Sequence, residues 1–135
     1  MPEQEVRKIL FVCVGNTCRS QMAEGFALRY GAGRVEVRSA GTSAAGYVSK
    51  STVRAMEEIG IDISGHASRQ LTGEMIEWAD VVVTLGCAPA KDICPASYAG
   101  EQMDWMIGDP LGRPWDEMQR VRADIEKRVR ELIGG

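Results

Sequence analysis

The chain has 135 residues, of which 44% are hydrophobic, and its formal net charge is −3 at pH 7. This length predicts a single domain over residues 1–135 with a normal buried core, and the acidic balance argues against a nucleic-acid partner, which normally meets a basic face. No apolar run approaches the length of a membrane span and the polar segment 1–5 is unlike a signal peptide, so we expect a cytoplasmic monomer that binds no membrane.

Strands and helices alternate in the predicted chain order. Hydrophobic periodicity predicts strand 8–12, helix 21–30, strand 35–39, helix 51–59, short helix 72–77, strand 79–85, strand 103–107 and a last helix with apolar positions at Met118, Val121, Ile125, Val129 and Leu132. On that helix we also expect ion pairs of Asp124 with Arg128 and of Glu126 with Arg130. The alternation indicates an α/β fold with a four-stranded parallel sheet and helices on both faces.

The first strand leads directly into a cysteine, and an arginine follows six positions later, in the run Cys13-Val14-Gly15-Asn16-Thr17-Cys18-Arg19-Ser20. This spacing lets the loop curl so that its backbone N–H groups point at one tetrahedral oxyanion. The Arg19 guanidinium would bind two oxygens, and the start of the next helix adds positive potential. We therefore predict that Cys13 is a thiolate nucleophile; the alternative is a small buried residue at a strand end.

Two further residues follow the carboxyl ends of predicted strands. Cys87 comes after the third strand, and Asp109 lies in an Asp-Pro turn after the fourth. Ligands of parallel sheets bind at this edge, so we expect both residues to converge with Cys13. Asp109 would protonate a departing oxygen, unless it has only a structural role in the turn. The Ser20 hydroxyl would cap the first helix or donate to the Cys13 sulfur.

The chain has four cysteines. Cytosolic thiols are held reduced, so we do not expect a structural disulfide framework. A zinc site is the rival interpretation, but the chain has no Cys-x-x-Cys pair and only one histidine, His66, so we expect no bound metal. Cys87 and Cys94 flank a polar, turn-rich segment that can move, which allows attack on an adduct at the first cysteine and transfer of the disulfide. Alternatively, both are thiols without a role.

With these residues in place, the chain closely resembles the thioredoxin-coupled arsenate reductases, which are built on the low-molecular-weight tyrosine phosphatase fold. The resemblance covers nearly the whole chain and rests on residues 13–25, 39–41, 60–64, 82–85, 87, 94–95, 109–110 and 119–122. All four cysteines match positions where that family has cysteines. Simple phosphatases of this fold do not require them.

The resemblance implies a mechanism. Arsenate would bind in the loop at residues 14–20, where phosphate or sulfate would compete, Cys13 would attack arsenic, and Asp109 would protonate the departing oxygen. Cys87 would then attack the Cys13 sulfur and release arsenite, and Cys94 would take over the disulfide with Cys87. Thioredoxin, recharged by NADPH through its reductase, would reduce that disulfide, and no cofactor would be bound.

The sequence departs from the family at two places. Potassium-binding members use residues matching Asn16, Glu24 and Ser39 together with an acidic residue where this chain has Arg69. A cation there would meet a guanidinium, which argues against a potassium site. Compared with the family, Gly86 is an inserted residue between Leu85 and Cys87, and we expect it to change how far Cys87 can reach.

Two other functions compete with arsenate reduction. A phosphatase of phosphotyrosine or small phosphoesters would use Cys13, Arg19 and Asp109 in the same way, but water would hydrolyse a phospho-cysteine. A redox sensor or binding module would only hold an anion. The pair Cys87 and Cys94 discriminates among the three, because a relay is useless to a hydrolase and to a passive binder.

Overall fold

The computed structural model describes residues 6–134, so the acidic segment 1–5, expected not to be a signal peptide, lies outside the described residues. Strands and helices alternate in the order β1 (Arg7–Cys13), α1 (Arg19–Tyr30), β2 (Val35–Gly41), α2 (Lys50–Glu57), α3 (Gly73–Trp78), β3 (Val81–Leu85), α4 (Ala90–Ile93), β4 (Glu101–Trp105) and α5 (Trp115–Ile133). Every predicted element is present, and the largest shift of a boundary is two residues. The sequence did not predict α4, because a single turn is too short to show helical periodicity.

The four strands form one parallel sheet in the order β2-β1-β3-β4. The central strand β1 pairs with β2 from Arg7 opposite Val35 to Cys13 opposite Gly41. On its other side, β1 pairs with β3, which is buried along its whole length. The predicted α/β architecture is therefore confirmed, with the first cysteine at the carboxyl end of a central strand.

Helices cover both faces of this sheet, as predicted. Ile9 and Phe11 of β1 point into a core shared with α1, α2 and α5, while Leu10 and Val12 point to the opposite face, against α3 and α4. All four side chains are fully buried. Burying a side chain of this size stabilises the fold by about 1.5–3 kcal/mol, so these two clusters fix the strand register and hence the position of the loop after Cys13.

The last helix packs on α1 through the predicted apolar positions; Met118, Val121, Ile125 and Val129 are buried and Leu132 is partly buried. Its end is marked by Gly134, which adopts a left-handed conformation with φ of 86°. The four buried positions recur at spacings of three and four, which places them on one helical face.

One of the two ion pairs expected on α5 is present. Asp124 Oδ1 lies 2.9 Å from Arg128 Nε. The expected pair of Glu126 with Arg130 is wrong, because Glu126 accepts a hydrogen bond from the Tyr30 hydroxyl and Arg130 lies over the Tyr30 ring, 4.9 Å from its centroid. This hydrogen bond to Glu126 also raises the pKa of Tyr30. A neighbouring helix thus offers partners that the periodicity of α5 alone does not reveal.

Among residues 6–134, none of the helices combines the length and the apolar composition that a membrane crossing requires.

Candidate active site

A pocket of about 190 Å³ lies at the carboxyl edge of the sheet; its lining residues are Cys13, Val14, Gly15, Thr17, Cys18, Arg19, Asp109 and Leu111. The structure thus brings together the first cysteine, the arginine and the aspartate that the sequence singled out. At about 30 Å³ per water molecule, the pocket has room for roughly six waters. A five-atom oxyanion fits in this space, whereas binding sites for drug-sized ligands and cofactors have about 300–1,000 Å³.

The backbone carbonyls of the loop after β1 bond to the segment 42–49. Hydrogen bonds of 2.8–3.0 Å run from Thr42 N to Cys13 O, Ser43 N to Val14 O, Ala45 N to Gly15 O and Ser49 N to Thr17 O. The C=O and N–H of a trans peptide point in opposite directions, so the amides that follow these carbonyls point away from that segment. This geometry favours a ring of N–H donors around the pocket.

Gly41 allows this close approach of loop and scaffold. A Cβ at Gly41 would lie 2.5 Å from Val14 O and 2.9 Å from Asn16 N, which leaves no room for any side chain. The glycine in the run Ser39-Ala40-Gly41 is therefore needed for steric reasons, which the spacing of residues did not reveal.

Asn16 organises the base of the loop with its side chain, a role that the sequence analysis missed. It is fully buried and has a φ of 50°, in the left-handed region where asparagine is enriched. Its Nδ2 donates to Ser20 Oγ at 2.8 Å and to Ser39 Oγ at 2.9 Å, and its Oδ1 accepts from Arg69 N at 2.8 Å. The side chain thus ties the loop to α1 and to β2.

The Ser20 hydroxyl lies between Asn16 and Cys13. Cys13 Sγ lies 2.8 Å from Ser20 Oγ, and either atom can be the donor. Ser20 Oγ accepts from Asn16 Nδ2, and a Cys13 thiolate could only accept, so in that state the Ser20 proton would bond to the sulfur. Of the two roles expected for Ser20, the structure shows the contact with Cys13; the residue before α1, Cys18, makes no side-chain capping bond.

Arg19 is fixed by the loops that follow β3 and β4. Its Nη1 donates to Ile107 O at 2.9 Å and to Gly86 O at 3.4 Å, and the residue is only 7% exposed. These carbonyls hold the guanidinium plane beside the pocket. An arginine oriented in advance loses less side-chain entropy when it binds two oxygens of an anion.

Gly86, which the resemblance implied to be an insertion, lies where only glycine fits. Its φ is 72°, and a Cβ there would overlap the Ile107 carbonyl oxygen and Arg19 Nη1. Its backbone N donates to Trp105 O at 2.9 Å. Gly86 therefore forms a tight turn that supplies an acceptor to Arg19 and sets the direction in which the chain continues to Cys87.

Asp109 lines the same pocket as Cys13, in the turn after β4. Its Oδ1 accepts a hydrogen bond of 3.0 Å from Leu111 N. This bond orients the carboxyl group. A carboxyl group at the same pocket as a nucleophile suits a general acid.

All four cysteines are free, and they lie in different surroundings. Cys87 Sγ contacts Val12 O at 3.5 Å, next to Cys13 in the chain. Burial raises the pKa of the Cys87 thiol, and the nearby Cys13 raises it further. Cys94 is buried in the same apolar cluster that Cys87 borders. Burial raises the pKa of the Cys94 thiol, and the charge of Asp104 raises it further.

Cys18 lies in the core beneath the loop, with its Sγ 4.0 Å from Met118 Sδ of α5. Burial raises the pKa of this thiol to about 12, so it stays protonated at neutral pH. A protonated, buried thiol is a poor nucleophile, which supports a structural role for the side chain while its backbone belongs to the loop.

The residues matching a potassium site are hydrogen-bonded to one another. Ser39 Oγ donates to Glu24 Oε1 at 2.5 Å, and Asn16 turns its amide nitrogen, not its oxygen, toward Ser39. Arg69 contributes its backbone N–H, and the residue is exposed. His66 Nδ1 lies 3.0 Å from Gln21 Oε1, as expected for a satisfied loop histidine. Within residues 6–134, no three His, Cys, Asp or Glu side chains are grouped as metal ligands.

Comparisons with known proteins agree with this geometry. The profile of the family described as low molecular weight phosphotyrosine protein phosphatase matches residues 8–134. An arsenate reductase from Brevibacillus brevis is 41% identical over 93% of this chain and 93% of its own length. The structure of an arsenate reductase in the phosphate binding state superposes with a TM-score of 0.81, 37% identity and coverage of 95% and 97% of the two chains. The structure of a thioredoxin-dependent arsenate reductase from Corynebacterium glutamicum superposes with a TM-score of 0.81 and 34% identity, with coverage of 97% of this chain and 62% of that one.

Proposed function

Since this chain belongs to the low molecular weight phosphotyrosine protein phosphatase family, we propose that it is an arsenate reductase that takes its electrons from thioredoxin. The observation that carries the proposal is the arrangement of three free thiols. Cys13 lies in the oxyanion pocket, Cys87 lies beside it, and Cys94 follows the one-turn helix α4. A hydrolase would need only the first of these thiols.

Arsenate binds in the pocket through the loop amides and the Arg19 guanidinium, and phosphate or sulfate competes for the same donors. The Cys13 thiolate, stabilised by the Ser20 hydroxyl, attacks arsenic. A bond between sulfur and arsenic forms and one bond between arsenic and oxygen breaks. The departing oxygen belongs to a hydroxyl group of arsenate, and with the proton that Asp109 gives it leaves as water.

Reduction follows when Cys87 attacks the Cys13 sulfur. The bond between sulfur and arsenic breaks, its electron pair stays on arsenic, and arsenite leaves as a disulfide forms between Cys13 and Cys87. Two thiols thereby lose two electrons, and arsenic gains them. Burial raises the pKa of Cys87, and the nearby Cys13 raises it further. Cys87 gives its proton to solvent as it attacks.

The last step frees the catalytic cysteine. Cys94 loses its proton to solvent and attacks the Cys87 sulfur, and Cys13 leaves as a thiolate. Reduced thioredoxin then converts the disulfide between Cys87 and Cys94 back to two thiols. This cycle requires no bound metal or organic cofactor.

The family name itself supports a second candidate, a phosphatase that works through a phospho-cysteine. Cys13, Arg19 and Asp109 would act in the same way on a phosphoester, and water would replace the second thiol. The placement of Cys87 against Val12 O, next to Cys13, favours reduction, because an attacking thiol is available where a phosphatase needs only water.

A coupled assay separates the two candidates. Arsenate, NADPH, thioredoxin and its reductase are mixed with the protein, and NADPH consumption is followed. We expect sustained consumption by the wild type and arrest of the Cys94→Ser variant after one turnover, with unchanged affinity for phosphate as the control. Wild-type turnover by Cys94→Ser would contradict the relay. Fast phosphoester hydrolysis that is indifferent to Cys87→Ser would make the chain a phosphatase.

Three expectations about the whole protein accompany this proposal. The active site belongs to one domain over residues 1–135, the protein works as a monomer, and it acts in the cytoplasm, where thioredoxin keeps thiols reduced.

A further inference from the structure

The helix α4 is too short to be stable by itself. It comprises Ala90–Ile93, and Cys94 N closes the turn by donating to Ala90 O at 2.9 Å. An isolated single turn is unfavourable in water, because helix nucleation costs more than one hydrogen bond returns. The conformation of this segment is therefore determined by the contacts that α4 makes with the rest of the protein.

Asp104 makes one of these contacts. Its Oδ1 accepts hydrogen bonds from Ala90 N at 2.8 Å and from Thr84 Oγ1 at 2.6 Å. Thr84 and Asp104 are direct partners in the register of β3 and β4, and Thr84 is only 2% exposed. The sheet thus holds the carboxylate in place, and the carboxylate holds the first residue of α4.

The two relay thiols lie on either side of α4 and border the same apolar cluster. Cys87 packs against this cluster and its Sγ contacts Val12 O, while Cys94 is buried in the cluster beside Ala90. A disulfide requires Cα atoms about 4.4–6.8 Å apart and side chains that point toward each other. Both thiols are free while α4 is held, and a disulfide would impose its own geometry on the two ends of this one-turn helix.

We propose that Asp104 is a positioning residue that latches α4 in the reduced conformation, and that its bond to Ala90 N breaks when the disulfide between Cys87 and Cys94 forms. This inference rests on the proposed function. In the step concerned, Cys94 gives its proton to solvent and attacks the Cys87 sulfur, and Cys13 leaves as a thiolate. The latch stabilises the reduced protein relative to the oxidised one, so Asp104 helps to set the midpoint potential of the pair.

The test compares Asp104→Ala with Asp104→Asn in the full-length protein, both in a Cys13→Ser background that removes the most reactive thiol. Asparagine keeps an oxygen acceptor at Oδ1 but removes the charge, so it separates the hydrogen bond from the electrostatic effect of Asp104 on Cys94. Two quantities are measured. The first is the alkylation rate of each cysteine in the reduced protein, read by mass spectrometry, with buried Cys18 as the internal control. The second is the midpoint potential of the pair.

We expect Asp104→Ala to raise the alkylation rate of Cys94 about three- to tenfold, which corresponds to the loss of one hydrogen bond. The midpoint potential should fall by about 14–30 mV, the same ratio converted at about 30 mV per tenfold change. Asp104→Asn should stay within about twofold of the parent, and the alkylation rate of Cys18 should not change.

Three results would overturn the latch: equal Cys94 alkylation in Asp104→Ala and the parent, equal effects of alanine and asparagine, or a parallel rise at Cys18 that indicates general loosening of the fold. Failure of the wild type to form the disulfide between Cys87 and Cys94 after arsenate would instead overturn the proposed function. The alkylation arm uses reduced protein without arsenate, so the two failures are distinguishable.

Discussion

Replacement of Gly86 by alanine tests whether the inserted turn positions the oxyanion-binding arginine. A Cβ at Gly86 would overlap the Ile107 carbonyl and Arg19 Nη1, and the backbone has a φ of 72°. The left-handed conformation costs an L-residue about 1–2 kcal/mol, and overpacking adds about 1–3 kcal/mol. Displacing Arg19 would also remove charge-assisted hydrogen bonds to the anion, each of which is worth about 1.5–3 kcal/mol.

The matched control is Gly33→Ala. Gly33 has a φ of 79°, and nothing lies within 4 Å of an added Cβ, so this variant carries the backbone strain without the overlap. In urea unfolding, the free energy of unfolding should fall in both variants by the cost of the backbone strain. In Gly86→Ala it should fall by about 1–3 kcal/mol more because of the overlap. Phosphate affinity, measured by titration calorimetry, should fall about 10- to 150-fold in Gly86→Ala alone. Equal stability and equal phosphate affinity of the two variants would refute the reasoning.

Three further predictions follow from the contacts around the pocket. Ser20→Ala removes the donor to the Cys13 thiolate and should slow alkylation of Cys13 at pH 7 about tenfold, while Ser51→Ala, which removes one hydroxyl of the part-buried pair with Ser49, should not; equal rates would contradict this role. Asp109→Asn should lower kcat for arsenate about 10²- to 10⁴-fold with phosphate affinity nearly unchanged, and a normal kcat would exclude Asp109 as the acid. Cys18 has a pKa of about 12 when folded and 9.0 as its reference, so its contribution to stability is complete below pH 9 and is lost between pH 9 and 12. From pH 7.5 to 10, the wild type should lose about 1.4 kcal/mol more unfolding free energy than Cys18→Ala, and parallel losses in urea titrations would contradict the raised pKa.

The sheet could be predicted from the sequence because its central strands are apolar on both faces. The buried run Val81–Leu85 and the apolar end of β1 allow few arrangements other than a covered parallel sheet. The oxyanion loop could be predicted because it is local in sequence. Cysteine, arginine and the intervening residues lie within one turn between a strand and a helix, so spacing carries most of the geometry.

Contacts between segments distant in sequence could not be predicted in this way. The role of the Asn16 side chain depends on Ser39 and on Arg69 N, and the need for Gly86 depends on Ile107 O. The first amide of helix α4 donates to Asp104 of the neighbouring strand β4. In each case the determining partner belongs to another element, which a single sequence does not identify.

Disulfide mapping after a single turnover tests the relay most directly. The reduced protein is mixed with one equivalent of arsenate without thioredoxin, quenched with an alkylating agent, digested and analysed by mass spectrometry. We predict one disulfide between Cys87 and Cys94 in the wild type, one between Cys13 and Cys87 in Cys94→Ser, and one arsenite released in each case. Release of arsenite with Cys87 and Cys94 still alkylated as free thiols would contradict the account.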